Sequence, residues 1–230
     1  MSYGIIVANN DNYIQIDSER PRLCAVYNGT YTATDSPLVT VDFPAAITTL
    51  EPPCIFLQNS PDQNSLMYTG LRILGSAGSW TGFRLSAMYP DNRPTGKWFV
   101  AIFSAATQAS YGLRIWDSAG GAVFDSGATP VIVTKASQSW TYPDRVNISV
   151  NAWAYRYNNT MVSPIVSDEY FMVNPFSRGM LTSQFYTVST GIKYDWQANR
   201  LQMFAITNSQ GVVFNDVGAY AGVFARLPGT

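Results

Sequence analysis

Three aromatic residues at alternate positions, Trp153, Tyr155 and Tyr157, are the side chains of this sequence best spaced to hold a ligand. In an extended strand residues two apart share a face, so residues 150–157 would set all three rings on one side and Arg156 on the other. Such a face can stack on a glycan or anchor a protein partner. Its commoner use is packing between sheets or subunits. The acidic residues Asp62, Asp91, Asp117, Asp144, Asp168 and Glu169 fall in segments that read as turns, where carboxylate oxygens bond nearby backbone. A glycosidase needs two carboxyls held at a defined separation around one bond, and spacing along loops defines no such pair. Asp11 and the Asp168-Glu169 pair offer oxygens to a cation, but without the spacing of an EF-hand loop.

Other routes to catalysis are thinly supplied. The chain has no histidine, which removes the usual general base near neutral pH and the common imidazole metal ligand. Cys24 and Cys54 lack the spacing of a zinc or redox motif and read as two small buried thiols. The run Gly75-Ser76-Ala77-Gly78-Ser79 lacks the Lys-Ser/Thr of a phosphate loop and reads as a turn. The expectation is a protein that is not an enzyme, with no cofactor and no metal site.

The elements that would position these residues are strands. Short runs rich in Val, Ile, Phe, Tyr, Trp and Thr recur between clusters of Gly, Pro, Asn, Asp and Ser, and helical spacing is scarce. Expected strands cover residues 4–7, 13–16, 54–58, 71–74, 81–88, 98–103, 113–116, 122–124, 131–134, 147–157, 201–207 and 211–214. Breaks are expected at Pro52-Pro53, Pro61-Asp62, Pro90-Asp91, Pro94, Pro143-Asp144 and Pro228, because proline cannot donate to a sheet ladder. The fold class is therefore all-β, with antiparallel sandwich-like lobes and repeated hairpins. Two lobes, residues 1–135 and 136–230, fit the usual domain size, and one continuous β-domain is the alternative.

An internal repeat organises the chain. Residues 3–18, from Tyr3-Gly4-Ile5 to Asp17-Ser18, align without a gap to residues 111–126, from Tyr111-Gly112-Leu113 to Asp125-Ser126. Each copy reads as a strand, a polar turn and a return strand, with Asp-Ser closing the unit. An isolated hairpin is marginal in water, so each copy is expected to join a larger sheet. Residues 203–215 read as a weaker third copy.

Composition limits the partners. Of 230 residues 47% are hydrophobic and 13% charged, with a net charge of −1 and no basic stripe to neutralise phosphates, so nucleic acid is not an expected partner. Met1-Ser2-Tyr3-Gly4 does not begin a signal peptide, and no apolar run approaches a membrane span, so synthesis in a cytoplasm without membrane insertion is expected.

The ordered set of a Tyr-Gly hairpin at the start, the Pro52-Pro53-Cys54-Ile55-Phe56-Leu57 strand, and a second Tyr-Gly hairpin ending in Phe124-Asp125-Ser126 resembles a group of phage and prophage tail proteins. The resemblance runs from residue 1 to about residue 134. It implies a structural virion component of the distal tail (tip, baseplate or fibre), made in the host bacterial cytoplasm and supporting assembly and host attachment. It also implies an oligomer, here expected to be a homotrimer, bound to other tail proteins. It supplies no catalytic residues. The alternative function is a receptor-binding or carbohydrate-binding module that reads a bacterial surface glycan through Trp153, Tyr155 and Tyr157.

Overall fold

The computed structural model describes residues 6–8, 14–17, 21–60, 62–63, 66–105, 109–159, 165–184, 187–195 and 197–229. Nearly all regular structure in them is strand. In chain order these are β1 (Ile6–Ala8), β2 (Ile14–Asp17), β3 (Leu23–Thr32), β4 (Leu38–Ile47), β5 (Cys54–Asn59), β6 (Met67–Ser76), β7 (Ser79–Ala87), β8 (Thr95–Phe103), β9 (Arg114–Trp116) and β10 (Ala122–Asp125). There follow β11 (Thr129–Pro130), β12 (Ile132–Ser137), β13 (Trp140–Ser149), β14 (Ala152–Asn159), β15 (Tyr170–Met172), β16 (Met180–Leu181), β17 (Thr187–Asp195), β18 (Arg200–Thr207) and β19 (Gly222–Arg226). Two short 3-10 turns, Asn174–Ser177 and Val217–Ala219, are the helical elements among the described residues. The all-β, antiparallel fold class is as the sequence led us to expect.

Two large sheets pack face to face. The first runs β11-β3-β8-β5-β15-β19-β12, and the second β13-β14-β18-β17-β6-β7-β4 with β16 added beside β17. Alternation along the strands explains the core between them. In β4, Val39, Val41 and Phe43 are buried while Leu38, Thr40 and Asp42 face out. In β8 both sets are buried: Trp98, Val100 and Ile102 face the second sheet, whereas Phe99 and Ala101 join a separate cluster with Phe56, Tyr170, Ala225 and Leu227. That second cluster exists because the first sheet curls. β11 pairs with β3 through Thr129 and Pro130, β12 pairs with β19, and one residue, Val131, links them while donating its N–H to Leu23 O at 2.9 Å. Alanines at 25, 101 and 225 leave room for the curl.

The order of strands is symmetric. Reading outward from the middle of the first sheet, β5-β8-β3 on one side mirrors β15-β19-β12 on the other, and in the second sheet β6-β7-β4 mirrors β17-β18-β14. Strands from before and after residue 135 thus share both sheets and the main core. β13 has no counterpart in the first half. The duplication that the sequence displays at its hairpins extends, in topology, through the fold.

The hairpins themselves carry the same register. Ile6 pairs with Asp17, Val7 with Ile16 and Ala8 with Ile14; 108 positions on, Arg114 pairs with Asp125, Ile115 with Phe124 and Trp116 with Ala122. An irregularity falls at the same step in both. The two pairs do not join the large sheets, contrary to expectation. Each is a separate two-stranded sheet, and β2 lies alongside β10, so the ribbons support each other.

Three other expectations are corrected. Residues 147–157 form parts of two strands, because the chain reverses at Val150-Asn151 between β13 and β14. Pro143 lies inside β13, an edge strand with an irregular step between Thr141 and Asp144, where a missing donor is tolerated. Residues 203–215 are no third hairpin: β18 pairs with β14 and β17, and Phe214 bridges to Thr182.

Candidate interaction surface

The second hairpin is the best-built exposed feature. Its turn is organised by Asp117, whose Oδ1 accepts from the N–H of Ala119 at 2.9 Å and of Gly121 at 2.7 Å, while Gly120 takes a positive φ of 84°. Its base is organised by Asp125. Oδ1 accepts from Ala109 N at 3.0 Å and Gly127 N at 2.8 Å, and Oδ2 meets Arg114 Nε at 2.6 Å. The Ala109 N–H, the Arg114 guanidinium and the Gly127 N–H together hold the carboxyl at a pKa of about 2. Ser126 Oγ accepts from Leu113 N at 3.2 Å, so both residues of the closing Asp-Ser brace the ribbon. Arg114 also lies over the Trp116 ring, 5.7 Å from its centroid.

What this frame presents is apolar. Tyr111 is 87% exposed, Leu113 52% and Trp116 54%, and Phe103, Ile132 and Val133 are exposed as well. The ribbon is tied to the end of β8 through Ala105 N donating to Ala122 O. Exposed large apolar side chains held on a rigid, well-bonded frame fit contact with another protein. Sequence reading found the hairpin but not Phe103, Ile132 and Val133, whose exposure depends on how the first sheet closes.

The aromatic stripe lies elsewhere. Trp153, Tyr155 and Tyr157 do share one face of β14, as alternation requires, and that face is the sandwich core. Tyr155 and Tyr157 are 4% and 8% exposed, and Trp153 is partly buried with Arg145 stacked 4.9 Å from its centroid. Tyr142, Tyr155, Tyr157 and Phe214 form one ring cluster. Tyr155 Oη accepts from Val212 N at 3.1 Å. Burial raises the Tyr157 phenol to about 12, with the neighbouring Tyr142 and Tyr155 adding to it. A sugar has no open ring face here among the two tyrosines.

Asp117, Asp144, Asp168 and Glu169 are each tied into the structure, and Asp62 and Asp91 lie in turns. Glu169 is buried and pairs with Lys135 at 2.7 Å, and also accepts from Val166 N. Burial works against its charged form, yet the Lys135 ammonium and the hydrogen bonds win, and its pKa lies below the ordinary value. Asp168 pairs with Arg226 at 3.0 Å and Asp144 with Arg156. Cys24 is a buried thiol and Cys54 a partly buried one, both pushed up in pKa by burial. Among the described residues no three of His, Cys, Asp and Glu gather where they could hold a metal ion, and no helix is long and apolar enough to cross a membrane. Asp11 lies outside the described residues. No protein family, curated protein or solved structure matches the chain.

Proposed function

We propose that this chain is a non-enzymatic structural component of the distal tail of a tailed bacteriophage, at the tip, baseplate or fibre, where it supports assembly and host attachment. The observation that carries the reading is the pair of Tyr-Gly/Asp-Ser ribbons, equal in register and separate from the large sheets. A sandwich needs neither ribbon to fill its core. Two paired ribbons, the second of them braced by Asp125 and Ser126 and bearing exposed Tyr111, Leu113 and Trp116, suit contact with neighbouring subunits. Low charge and abundant apolar side chains favour burial in an assembly, and a homotrimer bound to other tail proteins is the expected form. The glycan alternative loses its motive, since Tyr155 and Tyr157 are enclosed by the chain's own core.

Two measurements test this. Native mass spectrometry at micromolar concentration should show trimers, and a labelled copy should localise to the distal tail of intact particles by electron microscopy. A monomer that no tail protein retains, or label confined to the capsid, rejects the proposal.

A further inference from the structure

We infer that the outer edge of β4, over residues 38–42, is a docking edge that takes an extended, basic strand from a partner protein. The inference stands on the fold and does not depend on the tail reading.

The template is inside the molecule. β4 and β14 occupy matching places, each bonded on its inner side to a matching strand, β7 or β18. On its outer side β14 carries β13, a ten-residue antiparallel strand. Among the described residues no strand pairs with the outer edge of β4. A strand edge presents unpaired N–H and C=O groups, which is the standard receptor for an added strand.

A second open edge faces it. β11 covers β3 at Cys24 and Ala25, and among the described residues the part of β3 beyond them is paired on one side, by β8. Between these edges runs a groove floored by Tyr31 and Trp98 and walled by Thr30, Thr32, Thr40 and Asp42. Pro44 and the irregular step after Asp42 end the regular ladder, so a partner could pair over residues 38–42 and no further.

Charge selects the occupant. The ionisable carboxylates lining the groove are Asp35 and Asp42, both exposed; the Arg93 guanidinium sits at the Asp35 end, bonded to the carbonyls of Thr34 at 2.9 Å and Asp35 at 3.3 Å, which leaves Asp42 as the charge within residues 38–42. In the other half the polarity is reversed: Arg156 on the receiving strand β14 is bridged to Asp144 on the added strand β13. By the same arrangement Asp42 on β4 calls for Lys or Arg on its guest. A second copy offering its β13 would bring Asp144 to an acidic edge and is disfavoured.

The test uses the full chain and two fluorescein-labelled peptides, Thr-Lys-Val-Lys-Val-Lys-Thr and Thr-Glu-Val-Glu-Val-Glu-Thr. The lysine peptide should slow amide exchange at residues 38–42 and bind roughly tenfold tighter than the glutamate peptide, with the preference reversed in Asp42→Lys. Asp42 is exposed, and circular dichroism would check that this variant folds as the parent does. Equal binding of the two peptides, absence of protection at 38–42, or protection confined to β13 would overturn the inference.

Discussion

Phe56 and Met172 pair directly where β5 meets β15, the two strands that hold matching places in the strand order of the duplicated fold. On either side, Leu57 pairs with Phe171, and Val173 N donates to Ile55 O at 3.0 Å. The two halves therefore meet along a continuous ladder, with the second sheet joined in the same way through β6 and β17. The buried Lys135–Glu169 ion pair flanks this seam, since Glu169 directly precedes β15.

Replacing Lys135 by Ala leaves Glu169 buried without its ammonium partner and is expected to cost about 3 kcal/mol, read as a lower midpoint in urea. Because the Glu169 pKa is depressed in the fold, its contribution is present above the ordinary glutamate range and is lost as pH falls through the depressed value. Glu169→Gln should accordingly flatten the acid limb of the stability curve. An acid limb as steep as that of the parent would count against this pairing.

Asp125, held at about 2, behaves in the same sense. Its bracing of the hairpin is complete above the unfolded carboxyl value of about 3.9 and fades as pH drops toward 2. The amides of Ala109 and Gly127, which donate to it, should then exchange faster while the two large sheets stay protected. Asp125→Asn should show the fast exchange at neutral pH. Amides in β8 that open together with Ala109 would contradict a locally braced ribbon.

Gly112 has a φ of 128°, and a Cβ there would fall 2.1 Å from Ser126 Oγ. Gly112→Ala is expected to loosen the ribbon by about 1–3 kcal/mol, through strained backbone and a displaced serine. Adding Ser126→Ala relieves the contact but not the torsion, so it should restore only part of the loss. Full restoration, measured by hairpin amide exchange, would show that the torsion costs nothing.

Tyr155→Ala and Tyr157→Ala are expected to destabilise the fold by about 3 kcal/mol each, as large truncations in a filled core do. Trp153→Ala, at a partly buried position, should cost less. Thermal denaturation compares them directly. Variants at 155 and 157 with unchanged melting would mean that the rings are not enclosed.

The sequence displayed the hairpins well because their information is local: turn residues, Asp-Ser closure and a repeat of fixed offset. It displayed β8 as a strand for the same reason, as a short apolar run. β4 and β17 were harder. Pro44 argues against a strand until one knows that β4 is an edge, and Thr187-Val188-Ser189-Thr190 alternates with too little apolar contrast. The β13–β14 reversal was hidden because Val150-Asn151 carries neither Gly nor Pro. Alternation placed Trp153, Tyr155 and Tyr157 on one face correctly, but only the packing of the second sheet decides that this face is the inside one.

One consequence of the closure at Val131 concerns how the molecule is threaded. Leu23, the first residue of β3, is bonded to Val131, and Arg226, the last of β19, pairs with Ile132. Leu23 and Arg226 thus meet at one corner of the sandwich, held by the neighbouring residues Val131 and Ile132. A chain reopened at the exposed Val150-Asn151 bend and joined from Arg226 to Leu23 by a short linker should yield the same β-sandwich.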